Sequence, residues 1–202
     1  SPLSVIFAVR GILLSDSDSI KYAISGIQDV VVITDSGDGF YKDGSFIQHD
    51  NIPYNCGYGR SLIQELAPML YTFKDTEFEI KNTDIINTWV EKSYLPFIYN
   101  GRTMDMVRGR EISRYYEQSD FACSRILSAM LILTELSEFD ILRSVIKTHL
   151  TDSFFEYASL FAVELAEGLQ EDDNIEPKEI KPYFMAFNSM DRAVKHGNGY
   201  TI

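Results

Sequence analysis

His49 and Tyr58 stand nine positions apart in the stretch DGSFIQHDNIPYNCGYGR, residues 43–60, and both are side chains that move protons. Imidazole titrates near neutral pH, and a phenol can hold or release a proton once neighbouring cations stabilise its anion. The stretch is rich in Gly, Tyr, Asn and Asp. Ordered irregular backbone of this length must satisfy its hydrogen bonds somewhere, so the segment is predicted to be a long loop that serves as a site and not only as a connector. Each residue alone has a plainer explanation, a packed tyrosine ring or a solvated histidine. The pair in one glycine-bearing stretch is what points to chemistry.

A second candidate follows in GRTMDMVRGREISR, residues 101–114. Residues 101–116 hold Arg102, Arg108, Arg110 and Arg114 against Asp105 and Glu111, a local charge of +2 in a chain whose formal charge is -12. An anion-facing patch is expected here, with Arg108 among its contacts and Arg60 added from the end of the first stretch. If the chain is helical from Arg110 onward, Arg110 and Arg114 lie at i and i+4 on one face and form a fork for a carboxylate or sulfate. The commoner use of such arginines is a surface bridge to Asp or Glu.

The elements that must position these groups are mostly helices. Apolar spacing predicts helices over 3–14, 20–33, 59–73, 84–99, 119–136, 140–150 and 153–169, about seven in all, paired in sequence as hairpins. Trp89 falls at a core spacing of its helix. The charged, Pro-bearing EDDNIEPKEIKP reads as a linker, and the tail from Tyr183 changes to short aromatic and apolar alternation with glycine turns, the pattern of strands. The domain reading is therefore 1–170 helical, 171–182 linker, and 183–202 the start of a β-domain. With 202 residues, 45% hydrophobic, the chain can bury a sizeable core. Its acidity argues against general affinity for nucleic acid or anionic membranes. Cys56 and Cys123 fit neither a disulfide framework nor a zinc pattern, so free thiols, no metal and no cofactor are expected. The opening SPLSVIFAVRGILL reads as the middle of an amphipathic pattern, as in a piece of a longer protein.

Three separated motifs, GDGFYKDGSFIQHDNIPYNCGYG, MDMVRGREISR and FNSMDRAV, resemble in order and spacing those of polysaccharide lyase family 8, which includes hyaluronate lyase, chondroitin AC lyase and xanthan lyase. The resemblance covers nearly the whole chain. It implies the later part of an incomplete (α/α) toroid of helical hairpins, followed by the first strands of a β-sandwich. It also implies that His49 and Tyr58 are the catalytic pair, that Arg110 and Arg114 match two arginines of the RGRxISR signature, and that Asn55 and Asn100 are not catalytic. Cys56 and Arg60 depart from the family pattern, which more often has small or apolar residues there. The family's catalytic asparagine is expected upstream of Ser1.

The implied reaction is β-elimination. A base removes the C5 proton of a uronate, the bonding pair becomes the 4,5 double bond, and the O4 glycosidic oxygen leaves with its electrons and takes up a proton. A free phenol with a pKa of about 10 becomes a base at neutral pH only if roughly 4 kcal/mol favours its anion, an energy that guanidinium groups in a dry cleft can supply. The implied partner is an acidic polysaccharide, hyaluronan, chondroitin or a relative, and the implied location is secreted or cell-surface. The isolated piece is expected to be inactive or very weakly active and prone to self-association. The rival readings are a catalytically incomplete, carbohydrate-binding relic and a helical scaffold for protein partners.

Overall fold

The computed structural model describes residues 2–81 and 83–202. Its first two helices, α1 (Pro2–Leu14) and α2 (Ser17–Gln28), form a hairpin. Asp16 caps α2 by accepting from the backbone N–H groups of Asp18 and Ser19, and it also accepts from the Ser19 hydroxyl. Helix α2 stops at Gln28, ahead of the 33 expected, where the β-branched run Val30, Val31, Val32, Ile33 favours extended backbone.

The first part of the segment predicted as a loop, 43–60, belongs instead to a small sheet that starts before it. Strands β1 (Ile33–Thr34), β2 (Gly39–Tyr41), β3 (Phe46–Gln48) and β4 (Ile52–Pro53) lie side by side in that order, the first pair parallel and the others antiparallel. A five-residue π-turn, Asn55–Gly59, then leads directly into α3 (Arg60–Phe73). The sheet is joined to the helices by aromatic packing. Phe40 stacks on Trp89 with centroids 4.2 Å apart and meets Phe46 at 4.5 Å. Trp89 therefore packs in the core, as its spacing suggested.

Helix α4 is shorter than expected. It covers Asp84–Trp89 and is continued by a π-turn, Val90–Tyr94, and a 3-10 turn, Leu95–Phe97, where Pro96 prevents further α-helix. A hairpin of β5 (Ile98–Tyr99) and β6 (Arg102–Thr103) turns through Asn100 and Gly101, both at positive φ. Two 3-10 segments, Asp105–Val107 and Gly109–Ser113, precede α5 (Ser119–Leu133). Nearly every residue of α5 from Ala122 to Leu133 is buried, so it is the central helix, with α3, α7 and α8 packed around it.

The last helices are α6 (Leu142–His149), α7 (Asp152–Tyr157) and α8 (Leu160–Glu171). The helix expected over 153–169 is thus divided at Ser159, whose hydroxyl caps α8 through the Ala162 N–H. Residues 172–182 form no helix or strand, and β7 (Tyr183–Phe187), β8 (Arg192–Gly197) and β9 (Tyr200–Thr201) make an antiparallel sheet. Phe187 against Phe97, and His196 Nε2 at 2.8 Å from the Pro96 carbonyl oxygen, tie that sheet to the helical part.

Candidate active site

The site is built on one buried residue, Tyr54. Its ring lies between two glycines, and a Cβ on Gly57 or on Gly109 would come within 2.2 Å or 2.4 Å of it. Its hydroxyl accepts the backbone N–H of Arg110 at 3.1 Å. Tyr54 thereby fixes the gap between the π-turn that carries Tyr58 and the 3-10 segment that carries Arg110. The π-turn closes through the Gly59 N–H to the Tyr54 carbonyl at 3.0 Å, and the buried Tyr94 hydroxyl donates to the Gly59 carbonyl at 2.6 Å. Asn55 spans the layers beneath, donating to the carbonyls of Gly44 and Ser93, each at 2.9 Å, and accepting from Phe46 N–H.

Tyr58 is half-buried, and its oxygen accepts from Arg110 Nη2 at 3.1 Å. His49 is exposed in the turn between β3 and β4, with its ring edge-on to Tyr58 at 5.3 Å between centroids. His49 and Asp50 both have positive φ, 54° and 71°. Histidine and aspartate tolerate that region better than most residues, and Asp38 holds the turn by accepting from the Asp50 N–H and the Gln48 side chain. Three residues separated by up to 61 positions, His49, Tyr58 and Arg110, are thus brought together.

Arg114 does not join them on a shared helical face. The segment is 3-10 and ends at Ser113, and Arg114 has extended backbone, φ -86 and ψ 122. Its guanidinium pairs with Glu117 at 2.6 Å, and that carboxylate raises its pKa. Arg108 and Arg60, expected to face a ligand, are buried at 1% and 6% exposure. The two Nη groups of Arg108 are taken by the Asp105 carboxylate and by the carbonyls of Glu111 and Glu117. Arg60 pairs with Glu111 at 3.2 Å and lies over the Phe121 ring. Neither can reach a substrate, and charge counting had no means of telling a buried pair from a surface patch. Tyr54 went unnoticed in the sequence, although a tyrosine among glycines that recur after it was the available signal.

Beside Tyr58 opens a cleft of about 530 Å³, lined by Val30, Phe40, Phe46 and Leu62 with Asp38 and Glu65 at its edges. A larger cavity of about 720 Å³ between α6, residues 178–182 and the β7–β8 pair holds His149 and His196 and none of the three residues above. Both cysteines are buried and unpaired with each other, and burial raises the pKa of each thiol. Among the described residues, no three His, Cys, Asp or Glu side chains gather so as to hold a metal ion. Nor is any helix long and apolar enough to cross a membrane.

The candidate site is thus a histidine and a tyrosine set edge-on, with a guanidinium donating to the phenol beside a cleft. Residues 3–148 match the family model for polysaccharide lyase family 8, N-terminal alpha-helical domain. The chain belongs to polysaccharide lyase family 8. It is similar to the solved structure of Paenibacillus xanthan lyase, with a TM-score of 0.91 and 31% identity over 95% of this chain and 19% of that one. It is also similar to the chondroitin AC lyase of Streptomyces coelicolor A3, solved in complex with chondroitin sulphate, with a TM-score of 0.82 and 25% identity over 94% of this chain and 28% of that one. A hyaluronate lyase of Thermasporomyces composti is 32% identical over 95% of this chain and 26% of its own length. The chain spans about a quarter of the length of the curated relatives it matches. Mostly helical hairpins followed by a C-terminal sheet, the fold class inferred from the sequence, is the fold these family 8 lyases share with it.

Proposed function

We propose that this chain supplies the catalytic pair of a lyase that cleaves a uronate-containing acidic polysaccharide by β-elimination, with hyaluronan and chondroitin as its first candidates. The carrying observation is the contact of the Tyr58 oxygen with Arg110 Nη2 at 3.1 Å, beside His49 and open to a cleft. A phenol acts as a base through its anion, and a guanidinium N–H donated to that oxygen is the interaction that favours the anion. Tyr58 takes the C5 proton, the C5–H pair becomes the C4–C5 double bond, and the C4–O pair leaves on the glycosidic oxygen, which regains a proton from Tyr58. His49 faces the same space and helps to neutralise the uronate carboxylate as charge develops on it. The same reading gives Arg114 the anionic sugar as its partner, for which it exchanges Glu117. The relatives' names, xanthan, hyaluronate and chondroitin AC lyase, support an acidic polymer as substrate. A polymer of that kind is met outside the cell, so the enzyme is secreted or held at the cell surface.

In the same reading, residues 183–202 begin a β-sandwich, 171–182 link it to the helical part, and a donor for the carboxylate comes from elsewhere in the complete polypeptide. These residues alone therefore turn over little, and the exposed Leu3, Ile6, Leu13 and Leu14 of α1 make them prone to self-association. The test is Tyr58→Phe in the complete polypeptide, assayed on hyaluronan, chondroitin and xanthan by the ultraviolet absorbance of the unsaturated uronate. Loss of the base is expected to lower kcat by about 10²- to 10⁴-fold with little change in KM. Wild-type elimination by this variant would assign the base to another group.

A further inference from the structure

We infer that Arg60, through Glu111, is a positioning residue for Arg110: it holds the 3-10 segment at the distance from which Arg110 reaches Tyr58. The inference rests on the lyase reading only for its kinetic consequence. The geometry is independent of it.

Arg60 is the first residue of α3, two positions after Tyr58, and Glu111 directly follows Arg110. The ion pair between them, Nη2 to Oε2 at 3.2 Å, joins the same two pieces of chain that meet on the other side through Arg110 and Tyr58. Tyr58, Arg60, Glu111 and Arg110 therefore close a ring of contacts. Both side chains of the pair are only 8% exposed. Burial raises the pKa of Glu111, and Arg60, with a smaller contribution from Arg114, opposes that rise, so Arg60 is the main group favouring the carboxylate there. Arg60 also bonds Gln64 at 3.3 Å, faces the Phe121 ring at 5.3 Å, and comes within 3.8 Å of Glu117, the partner of Arg114.

A five-residue 3-10 segment has few bonds of its own with which to hold position. Besides the bonds within its turn and the Arg110 guanidinium on Tyr58 itself, residues 109–113 are tied to Tyr54, just before the π-turn, by the Arg110 N–H and to α3 by Glu111 on Arg60. A buried ion pair contributes little net stability compared with an apolar pair of the same volume, and its attested use is to fix one arrangement among several. Arg60 is buried and does not line the cleft, so its effect on chemistry passes through Arg110. A merely structural Arg60 predicts something different, a lower fraction of folded protein with unchanged turnover per folded molecule.

The test uses the complete polypeptide, its Arg60→Met, Arg60→Lys and Glu111→Gln variants, and Arg110→Met for reference. Two quantities are read on the folded fraction, kcat with KM on the acidic polysaccharide, and the ring-carbon NMR resonance of Tyr58 in tyrosine-labelled protein, assigned with Tyr58→Phe. Arg60→Met should lower kcat about 10²-fold, the effect of a displacement near 1 Å, with KM within about twofold. Its Tyr58 resonance should move toward that of Arg110→Met. Arg60→Lys, which keeps the charge, should recover kcat to within about tenfold of wild type. Glu111→Gln keeps the volume, and should change kcat and the resonance in the same direction as Arg60→Met; it decides the matter if Arg60→Met does not fold. An unmoved Tyr58 resonance in Glu111→Gln and in every folded Arg60 variant overturns the inference. If the wild-type protein forms no unsaturated product, the lyase reading fails while the resonance still decides whether Arg60 positions Arg110.

Discussion

Replacing Gly109 by alanine probes the narrowest tolerance in the site. Gly109 has φ +55, and an added Cβ would lie 2.4 Å from two carbons of the Tyr54 ring. The left-handed backbone alone costs an L-residue about 1–2 kcal/mol. Carbon atoms pack at about 3.5–4.0 Å, so either the ring or the 109–113 segment has to withdraw by about 1 Å. The ring cannot withdraw easily: it is 1% exposed, and on its other side a Gly57 Cβ would already be 2.2 Å from it. Overpacking of this kind costs about 1–3 kcal/mol, so the total destabilisation is about 2–5 kcal/mol. The segment is the part that yields, and withdrawal by about 1 Å stretches the 3.1 Å contact between Arg110 and Tyr58 beyond hydrogen-bonding range. A misplacement of that size lowers kcat by about 10²-fold. Denaturant unfolding and initial rates of unsaturated-product formation, both on the complete polypeptide, measure the two effects. Gly168→Ala is the control, since Gly168 lies within α8, has no atom within 4 Å of the added Cβ, and should be unaffected in rate and more stable by about 0.5–1 kcal/mol. A Gly109→Ala protein with wild-type stability and rate would refute the account of Tyr54 as the spacer.

Asn55→Ala removes a buried amide that makes three hydrogen bonds across β3, the Gly44 turn and the Val90–Tyr94 turn, and leaves two carbonyls and one N–H without partners. The expected loss is about 2–4 kcal/mol in denaturant unfolding, accompanied by loosening of the His49 and Tyr58 segment in hydrogen exchange. Burial, with a smaller contribution from His196, lowers the pKa of His149 from 6.5 to about 4. The unfolded chain therefore takes up a proton at higher pH than the folded one, so the stability held above pH 6.5 falls as pH drops through that window and levels off below about 4, a loss of roughly 3 kcal/mol. His149→Leu should flatten this acid limb when unfolding free energy is measured against pH, and an unchanged limb would show that His149 is not its source.

The helices were legible because their apolar residues recur at the helical period over ten or more positions, and α1, α3 and α5 fall close to where that period put them. The short sheet was not. Strands of two or three residues, such as β1, β2 and β4, are too brief to show alternation, and what holds them is the packing of Phe46 on Phe40 and of Phe40 on Trp89 from a later helix. The divisions at Pro96 and Ser159 carried local signals, a proline that ends α-helix and a serine that caps one, which the apolar period overrode. Of the candidate site, His49, Tyr58 and Arg110 stood out by residue type and motif, and the fold brings them together. Arg60 and Arg108 looked the same in the sequence, and only the tertiary positions of Glu111, Asp105 and Glu117 reveal them as interior cations.

Two phenols lie with ring centroids 4.9 Å apart in this site, and the structure gives a physical reason for treating them differently. Arg110 donates to both, its backbone N–H to Tyr54 and its guanidinium to Tyr58, each at 3.1 Å. The backbone donor is neutral and Tyr54 is buried away from the cleft, so its hydroxyl serves to hold position. Tyr58 receives the cationic donor and opens on the cleft. In the proposed reaction, one arginine thus gives a fixed role to Tyr54 and the reactive role to Tyr58. The assignment survives only while the segment carrying Arg110 stays in register with the π-turn. Glycines at 57 and 109 permit that register, Tyr54 measures it, and the Arg60–Glu111 pair resists its sliding.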